Sequence, residues 1–330
     1  MTFPPPQPVC FVPELHPRPW GGRRLAELGK ALPPDVPIGE SWELVSLPGH
    51  ESRVREGPLA GRTLAELVEH WGTDLVGTAP LADGRFPLLV KFLDAAANLS
   101  IQVHPRPVRD TDTWEPGVKH EVWYVVAAAP GAGLYLGVKP GVTASDLARA
   151  AGTSELVDLL RFWPAEPGQC FNIPSGTVHA LGKGLIVAEV QTPSDVTYRM
   201  YDWDRRDAQG QPRPLHIAEA LASTRLYVPD GVLRPTIPTV ENGLAPCVRC
   251  PAFAIDRLAV PAGPPQAIPP VGQARVWVVT RGRGELVAGD ATVRLVPGAV
   301  VLLPAGMPAA ELRPVAQTTI VHVRVGPPAA

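Results

Sequence analysis

Gln102 and His104 stand two apart in the apolar run Leu99-Ser-Ile-Gln-Val-His104. On a strand, alternate side chains leave the same face, so this spacing offers an amide and an imidazole together, the way a strand presents two ligands to one metal ion. A second segment, Gly168-Gln-Cys-Phe-Asn-Ile-Pro174-Ser-Gly176-Thr-Val-His179, reads G-x5-P-x-G-x2-H. Its Gly and Pro residues set a tight turn that lifts His179 onto the start of the next strand. Lys119 and Glu121 form a third pair at the same spacing, ahead of Val122-Trp-Tyr124. These neighbours mark a buried strand, where a carboxylate needs a partner. Strand parity puts His120 on the opposite face, away from a metal held by Glu121. Lys119, close to a metal cation, would have its charged form disfavoured and could move a proton near neutral pH; a structural salt bridge to Glu121 or another carboxylate is the other reading. Glu189 and Gln191 are a fourth pair, on the apolar strand after His179. Glu189 is a candidate base, or a group that orients a metal ligand.

The elements that must position these residues read as short strands. The best candidates are 41–46, 86–93, 99–104, 121–127, 134–138, 169–173 and Leu185–Gln191, rich in Val, Ile, Leu and aromatics and bounded by Pro, Gly or Asp. Helical periodicity is confined to Leu64–Trp71, 144–162 and 215–223, with Thr143 as N-cap of the middle one. The 41 prolines are scattered between apolar runs, which suits a mainly β chain with rigid turns better than a helical bundle.

The turn ending in His179 is similar to the second motif of the cupin barrel. Cupins usually open with H-x-H and place a Glu on a neighbouring strand; here Gln102 stands for the first His, and Glu121 follows. The resemblance implies a ligand set of Gln102, His104, Glu121 and His179, with Gln102 the weakest because amide oxygens bind zinc poorly. Mixed oxygen and nitrogen donors without thiolate favour a catalytic site with an open position. The residual charge of such a site can polarise a carbonyl or hydroxyl oxygen. Zinc is the first choice, one ion per chain, and iron and manganese are compatible with the same donors. The pattern then recurs. Val276-Trp-Val-Val279 echoes Val122-Trp-Tyr-Val125, and Gly298 to Ala309 repeats the turn motif with Ala309 where His179 stood and Arg275 where Glu121 stood. The expected fold is mainly β, two cupin (jelly-roll β-barrel) domains with a few inserted helices: residues 1–239 a catalytic metal-binding cupin with a helical insertion around 143–162, and residues 240–330 a degenerate cupin lacking metal ligands.

Most of the chain resembles the type I mannose-6-phosphate isomerases in their short bacterial form. The resemblance runs through Trp20-Gly-Gly22, Gly39-Glu-Ser-Trp-Glu43, Phe86-Pro-Leu-Leu-Val-Lys91-Phe-Leu-Asp94, Leu99-Ser-Ile-Gln-Val-His-Pro105, Lys119-His-Glu-Val-Trp-Tyr124, Gly176-Thr-Val-His179 and Gln191-Thr-Pro-Ser-Asp195-Val-Thr-Tyr-Arg199-Met-Tyr-Asp202-Trp-Asp-Arg205. Arg106 stands where the family often has an acidic residue, and His120 where it commonly has a small or polar one. The resemblance implies a zinc-dependent interconversion of mannose 6-phosphate and fructose 6-phosphate through an enediol. It makes Arg199 the active-site arginine, able to stabilise an enediolate oxygen or hold phosphate by paired hydrogen bonds. Lys119 and Glu189 join it as candidate catalytic groups; Lys91, Ser100 and Asp195 are candidate substrate contacts, and Arg205 is either a further contact or solvated. Two other classes share the barrel. A dioxygenase prefers iron with histidine-rich ligation and leaves Lys91 and Arg199 unexplained; a non-catalytic sugar-phosphate-binding cupin has no need of Lys119 and Arg199. A bifunctional type II relative would carry an N-terminal Gly-rich nucleotide loop, which this chain lacks.

Composition narrows the partners. In 330 residues the net charge is −2, and no basic cluster offers a footprint for nucleic acid or anionic membrane. No apolar stretch is long enough for a membrane-spanning helix. The first eight residues lack the basic start and apolar run of a secretory signal, and four cysteines are too few for a disulfide framework, so a reducing cytoplasm is expected. Cys247-Val-Arg-Cys250 lacks the second pair that a zinc knuckle needs. The expected partner is a small sugar phosphate, and no feature of the chain reports an oligomeric state. Lysine is scarce, five against 25 arginines, so Lys91 and Lys119 carry more information than surface lysines would.

Overall fold

Along Glu121–Ala128, Val122 and Tyr124 belong to one apolar cluster while Trp123 and Val125 belong to another. This alternation sets the layers of the molecule, because each face of a strand must find its own core. A computed structural model describes residues 3–106, 118–207 and 209–326. Sheet I orders six strands as Glu14–Gly22, Ile38–Leu44, Leu89–Asp94, Leu185–Gln191, Glu121–Ala128 and Cys170–Ile173, all neighbours antiparallel. Sheet II has five, Tyr198–Tyr201, Ile101–Val103, His179–Leu181, Gly133–Val138 and Leu160–Pro164. Sheets I and II close on a core that includes Trp123, Val125, Leu134, Leu136, Phe171 and Val187.

The second half repeats this plan. Sheet III runs Gly243–Arg249, Phe253–Val260, Thr318–Val325, Arg275–Arg281 and Val300–Leu303, and sheet IV runs Gln266–Ile268, Ala310–Pro314, Gly284–Ala288 and Ala291–Leu295. Trp277, Val279, Leu286, Leu303 and Leu312 fill the space between them. The outer faces of sheets I and III pack on each other: Val90, Phe92, Val122 and Val190 share one cluster with Phe253, Ile255, Val276 and Val323. The layer order is therefore II, I, III, IV. A buried ion pair, Lys30 Nζ to Glu43 Oε1 at 2.7 Å, fastens this junction, because the same ammonium donates to the carbonyl of Gly298 at 2.8 Å. At Gly298, with φ +87°, an added Cβ would lie 2.1 Å from the carbonyl oxygen of Leu28, so the close approach requires glycine.

The fold class is as expected: mainly β, with two barrel-like sheet pairs and few helices. Leu64–Trp71 is a helix, entered through a capping box between Thr63 and Glu66. The long helix expected over 144–162 is not formed. Thr143 does cap a helix, but it spans Ala144–Ala150, a four-residue turn follows at Glu155–Asp158, and Leu160–Pro164 is a strand. Gly152, at φ +84°, breaks the helix, and the Leu160-Arg-Phe-Trp run pairs with Gly133–Val138. The third helix begins at Ile217, two residues later than expected. Strands Glu14–Gly22, Leu160–Pro164 and Tyr198–Tyr201 were not anticipated; Pro13, Pro17 and Pro19 hide the first of them.

Candidate functional site

The register of the two sheets brings the paired residues together. In sheet II, Gln102 lies opposite His179 on one side and Arg199 on the other. In sheet I, Trp42, Lys91, Glu189 and Trp123 form a row across four adjacent strands, each facing the next, and Gln191 faces Glu121. All leave the inner face of the barrel by strand parity. His179 follows the turn at Gly176, whose N–H donates to the carbonyl of His104 at 3.2 Å and whose φ is +81°, so the turn also ties the two histidine segments together. A cavity of about 340 Å³ opens here. Lys91, Ser100, Gln102, Lys119, Glu121, Glu189, Asp195 and Arg199 line it. His104 and His179, 1% and 0% exposed, are buried beneath its floor next to Glu121.

His104, Glu121 and His179 converge, their ligand atoms within 4.8 Å of one another. Each ring has its Nδ1 committed to a backbone carbonyl, His104 to Val196 at 2.9 Å and His179 to Thr177 at 2.8 Å. A carbonyl only accepts, so both Nδ1 atoms carry the proton and both Nε2 atoms present a lone pair. Those lone pairs face the Glu121 carboxylate, His104 Nε2 at 3.3 Å and His179 Nε2 at 3.0 Å. His104 Nε2 and Glu121 Oε1 have no hydrogen-bond partner. Acceptors packed against acceptors without a proton between them suit a cation, and the residues fit a divalent metal. Burial, reinforced by Lys119, pushes the His104 imidazole down to about 3, which keeps it neutral. Burial is the largest influence and would raise Glu121, but the Lys119 ammonium, 3.1 Å from Oε2, together with His104 and His179 outweighs it and holds the carboxyl well below its ordinary range.

Gln102 turns its amide nitrogen toward His179 Nε2 at 3.3 Å, while its oxygen accepts from Ser100 Oγ at 3.1 Å. Rotating the amide by half a turn exchanges the two atoms and brings the oxygen to the ligand cluster. His120 lies apart, its Nε2 2.7 Å from Asn172 Oδ1. Gln191 donates to the carbonyls of Thr192 and Ser194 and so braces the loop that carries Asp195. Arg205 is tied to Asp202 and to the carbonyl of Asn98 and does not line the cavity. A second His and carboxylate group, Glu14, His16 and His50, is only half-buried, and its His50 Nδ1 and Glu14 Oε2 already bond to each other at 2.9 Å. The four cysteines are all unpaired.

Lys91 is held more tightly than its sequence context suggests. Its ammonium lies 3.2 Å from Glu189 Oε1 and 3.6 Å from Glu40 Oε2, and these carboxylates raise its pKa despite burial. Glu189 Oε2 accepts from Trp123 Nε1 at 2.9 Å; burial pushes the carboxyl up, with Lys91 opposing. Glu40 also accepts from Arg18 Nε and Trp42 Nε1, both at 2.6 Å. Arg18, Trp20, Glu40, Trp42 and Arg213 line the cavity and were not singled out from sequence. Glu40 and Trp42 carry the same alternate spacing as the four pairs that were, whereas Arg18 and Arg213 lie among prolines and carry no periodic signal. Arg199 donates to the carbonyl of Pro214 at 2.8 Å and leaves its Nε without a partner. Burial and neighbouring Arg213 lower its pKa.

Comparison with known proteins identifies the family. Residues 11–115 match the model of the phosphomannose isomerase type I catalytic domain. Mannose-6-phosphate isomerase ManA of Bacillus subtilis is 34% identical over 324 residues, 96% of this chain and 99% of that protein. Mannose-6-phosphate isomerase of Streptococcus mutans is 37% identical over 217 residues, covering 65% of this chain and 67% of that one. The crystal structure of mannose 6-phosphate isomerase from Bacillus subtilis has a TM-score of 0.83 at 30% identity, covering 96% of this chain and 99% of that chain. The apo form of the Salmonella typhimurium enzyme, at 18% identity and TM-score 0.73, shares the fold over 97% of this chain and 99% of its own. Sequence similarity that runs the full length of a relative, together with the same fold from end to end, means that the chain belongs to the type I phosphomannose isomerase family.

Proposed function

We propose that the protein interconverts mannose 6-phosphate and fructose 6-phosphate through an enediol, with one zinc ion held by His104, Glu121, His179 and Gln102. The observation that supports this most is the convergence of two imidazole lone pairs on a buried carboxylate at the base of a cavity lined by Lys119, Lys91 and Arg199. A bound zinc supplies Lewis acidity toward a sugar oxygen. The chain must do the rest: hold the open-chain sugar, take a proton from the carbon beside the carbonyl, return it to the neighbouring carbon, and shift the hydroxyl proton. Lys119 and Glu189 are our acid–base pair. Trp123 fixes one oxygen of Glu189 and leaves the other beside Lys91. Two carboxylates already neutralise Lys91, so we assign it, with Ser100 and Asp195, to sugar hydroxyls. Arg199, with Arg213 beside it, is assigned to the phosphate, where a guanidinium donates two parallel hydrogen bonds.

In the same reading residues 1–239 form the catalytic domain, residues 240–330 a second barrel without metal ligands, and the protein works in the cytoplasm. A coupled assay for fructose 6-phosphate formed from mannose 6-phosphate tests the function. Chelator-stripped protein should be inactive and should recover best with zinc when zinc, manganese and iron(II) are restored separately. Folded protein that turns over with none of the three would overturn the reading.

A further inference from the structure

Five of the six strands of sheet I recur in sheet III in the same register, with two bulges at matching places. In sheet I, Val125 and Ala127 face the consecutive residues Val187 and Ile186; in sheet III, Val279 and Arg281 face the consecutive residues Ile320 and Thr319. A second slip, between Trp42 and Leu44, has its counterpart between Pro246 and Val248. Bulges pin register, so the correspondence holds without appeal to residue identity. Arg275 occupies the place of Glu121, Trp277 that of Trp123, His322 that of Glu189, Arg324 that of Gln191, and Asp256 that of Lys91. At the equivalent points the charges have changed sign: carboxylate to guanidinium, and ammonium to carboxylate. The indole bond persists, since Trp277 Nε1 donates to His322 Nδ1 at 2.9 Å as Trp123 donates to Glu189.

These residues line a second cavity, of about 580 Å³. Arg275 is 5% exposed, yet its Nε has no partner and its single bond is a long one, 3.4 Å to the carbonyl of Pro269. A guanidinium carries five donors, and burying one with so few acceptors is costly. Arg324 also has an unpartnered Nε. Asp256 cannot compensate, because Arg249 and Arg324 already pair with its two oxygens. His322 accepts at Nδ1, so its remaining proton is on Nε2, a further donor. Three arginines, one aspartate and a neutral histidine leave the cavity with an excess of two positive charges. Its other walls are apolar, from Leu258 and Ile268 to Leu244 and Val271, which are 54% and 51% exposed.

We propose that the second barrel is a binding site for a small organic anion, its phosphate or carboxylate headgroup seated on Arg275 and Arg324 and its apolar body covering Leu244, Leu258, Ile268 and Val271. Where the first barrel collects acceptors around a cation, the second collects donors around an anion. The test is isothermal titration of the metal-loaded full-length protein with phenyl phosphate, benzoate and, as the neutral control, benzyl alcohol. At least one of the two anions should bind the wild type at the second cavity, the stronger one naming the preferred headgroup. That binding should persist in Arg199→Ala and weaken at least about tenfold in both Arg275→Gln and Arg324→Gln. Arg324→Gln, at a partly exposed side chain, keeps the test open if Arg275→Gln does not fold. The proposal fails if neither anion binds, if binding survives both glutamine variants, if Arg199→Ala alone abolishes it, or if benzyl alcohol binds equally well.

Discussion

Glu40 joins Arg18, Trp42 and Lys91 in one buried network, and its ionisation is the sharpest quantity the structure offers for measurement. Burial alone would raise its carboxyl; attraction to Lys91 and Arg18 and the hydrogen bonds from Arg18 and Trp42 outweigh this and hold it at about 2, against an ordinary 4.5. The difference corresponds to about 3 kcal/mol in favour of the charged folded form. The sign follows from linkage: a carboxyl depressed in the folded state stabilises fully above its unfolded value and loses that contribution as pH falls toward its folded value. Glu40→Gln keeps the shape and removes the charge. At pH 7 the variant should be less stable by about 3 kcal/mol, and at pH 3.5 by only about 2 kcal/mol. Urea titration of both proteins at the two pH values, with equal slopes required, reads the difference. A gap below about 1 kcal/mol at pH 7, or one that does not narrow on acidification, would refute the claim that Glu40 is a charged keystone of this network.

Other consequences are as direct. His104→Ala and Glu121→Gln should each lose bound zinc and activity together, read by metal analysis of purified protein alongside turnover; a variant that retains stoichiometric zinc would remove that residue from the ligand set. Arg199→Ala should keep its zinc and lose about 10²-fold or more in kcat/KM, the scale of a missing charged contact to a phosphate or transition-state oxygen; wild-type kinetics would end its assignment. Glu189→Gln should lower kcat by about 10²–10⁴-fold while leaving metal content unchanged, and an unaltered kcat would leave Lys119 to move the proton without it. Burial pushes the His322 imidazole down to about 4 from 6.5. The folded state thus favours the neutral ring, and stability should be full above pH 6.5 and decline as pH falls toward 4; denaturation curves for His322→Gln should show a shallower decline, and parallel declines would count against the assignment.

Strand spacing made much of the site legible. Residues two apart on an apolar run share a face whatever the tertiary structure, so Gln102 with His104, Lys119 with Glu121, and Glu189 with Gln191 could be paired before any fold was known. Residues outside the anticipated strands had no such rule. Asp195 and Arg199 reach the cavity from the segment after Gln191, and only family resemblance drew attention to them; Arg213 entered without any signal. The network around Lys91 was hidden for a different reason: which strands become neighbours is a non-local outcome, and Glu40 meets Lys91 only because Ile38–Leu44 pairs with Leu89–Asp94. The failed helix over 144–162 shows the limit of periodicity. Apolar residues recur there at helical spacing, yet Gly152 and the pairing of Leu160–Pro164 with a neighbouring strand decide the backbone.

The back-to-back packing of sheets I and III makes the boundary proposed near residue 240 one between barrels rather than between folding units. Severing the chain there would strip solvent-averse faces from both halves at once, Phe92 and Val122 on one side and Phe253 and Val276 on the other, and would leave Glu43 buried without Lys30's bond to Gly298 to anchor the ammonium beside it. Neither half is then expected to survive as a soluble fragment, and the chain should melt in a single transition. An anion bound in one barrel and a metal bound in the other would thus stabilise the same folded state, so each would raise the melting temperature of the whole even if neither changed the other's affinity.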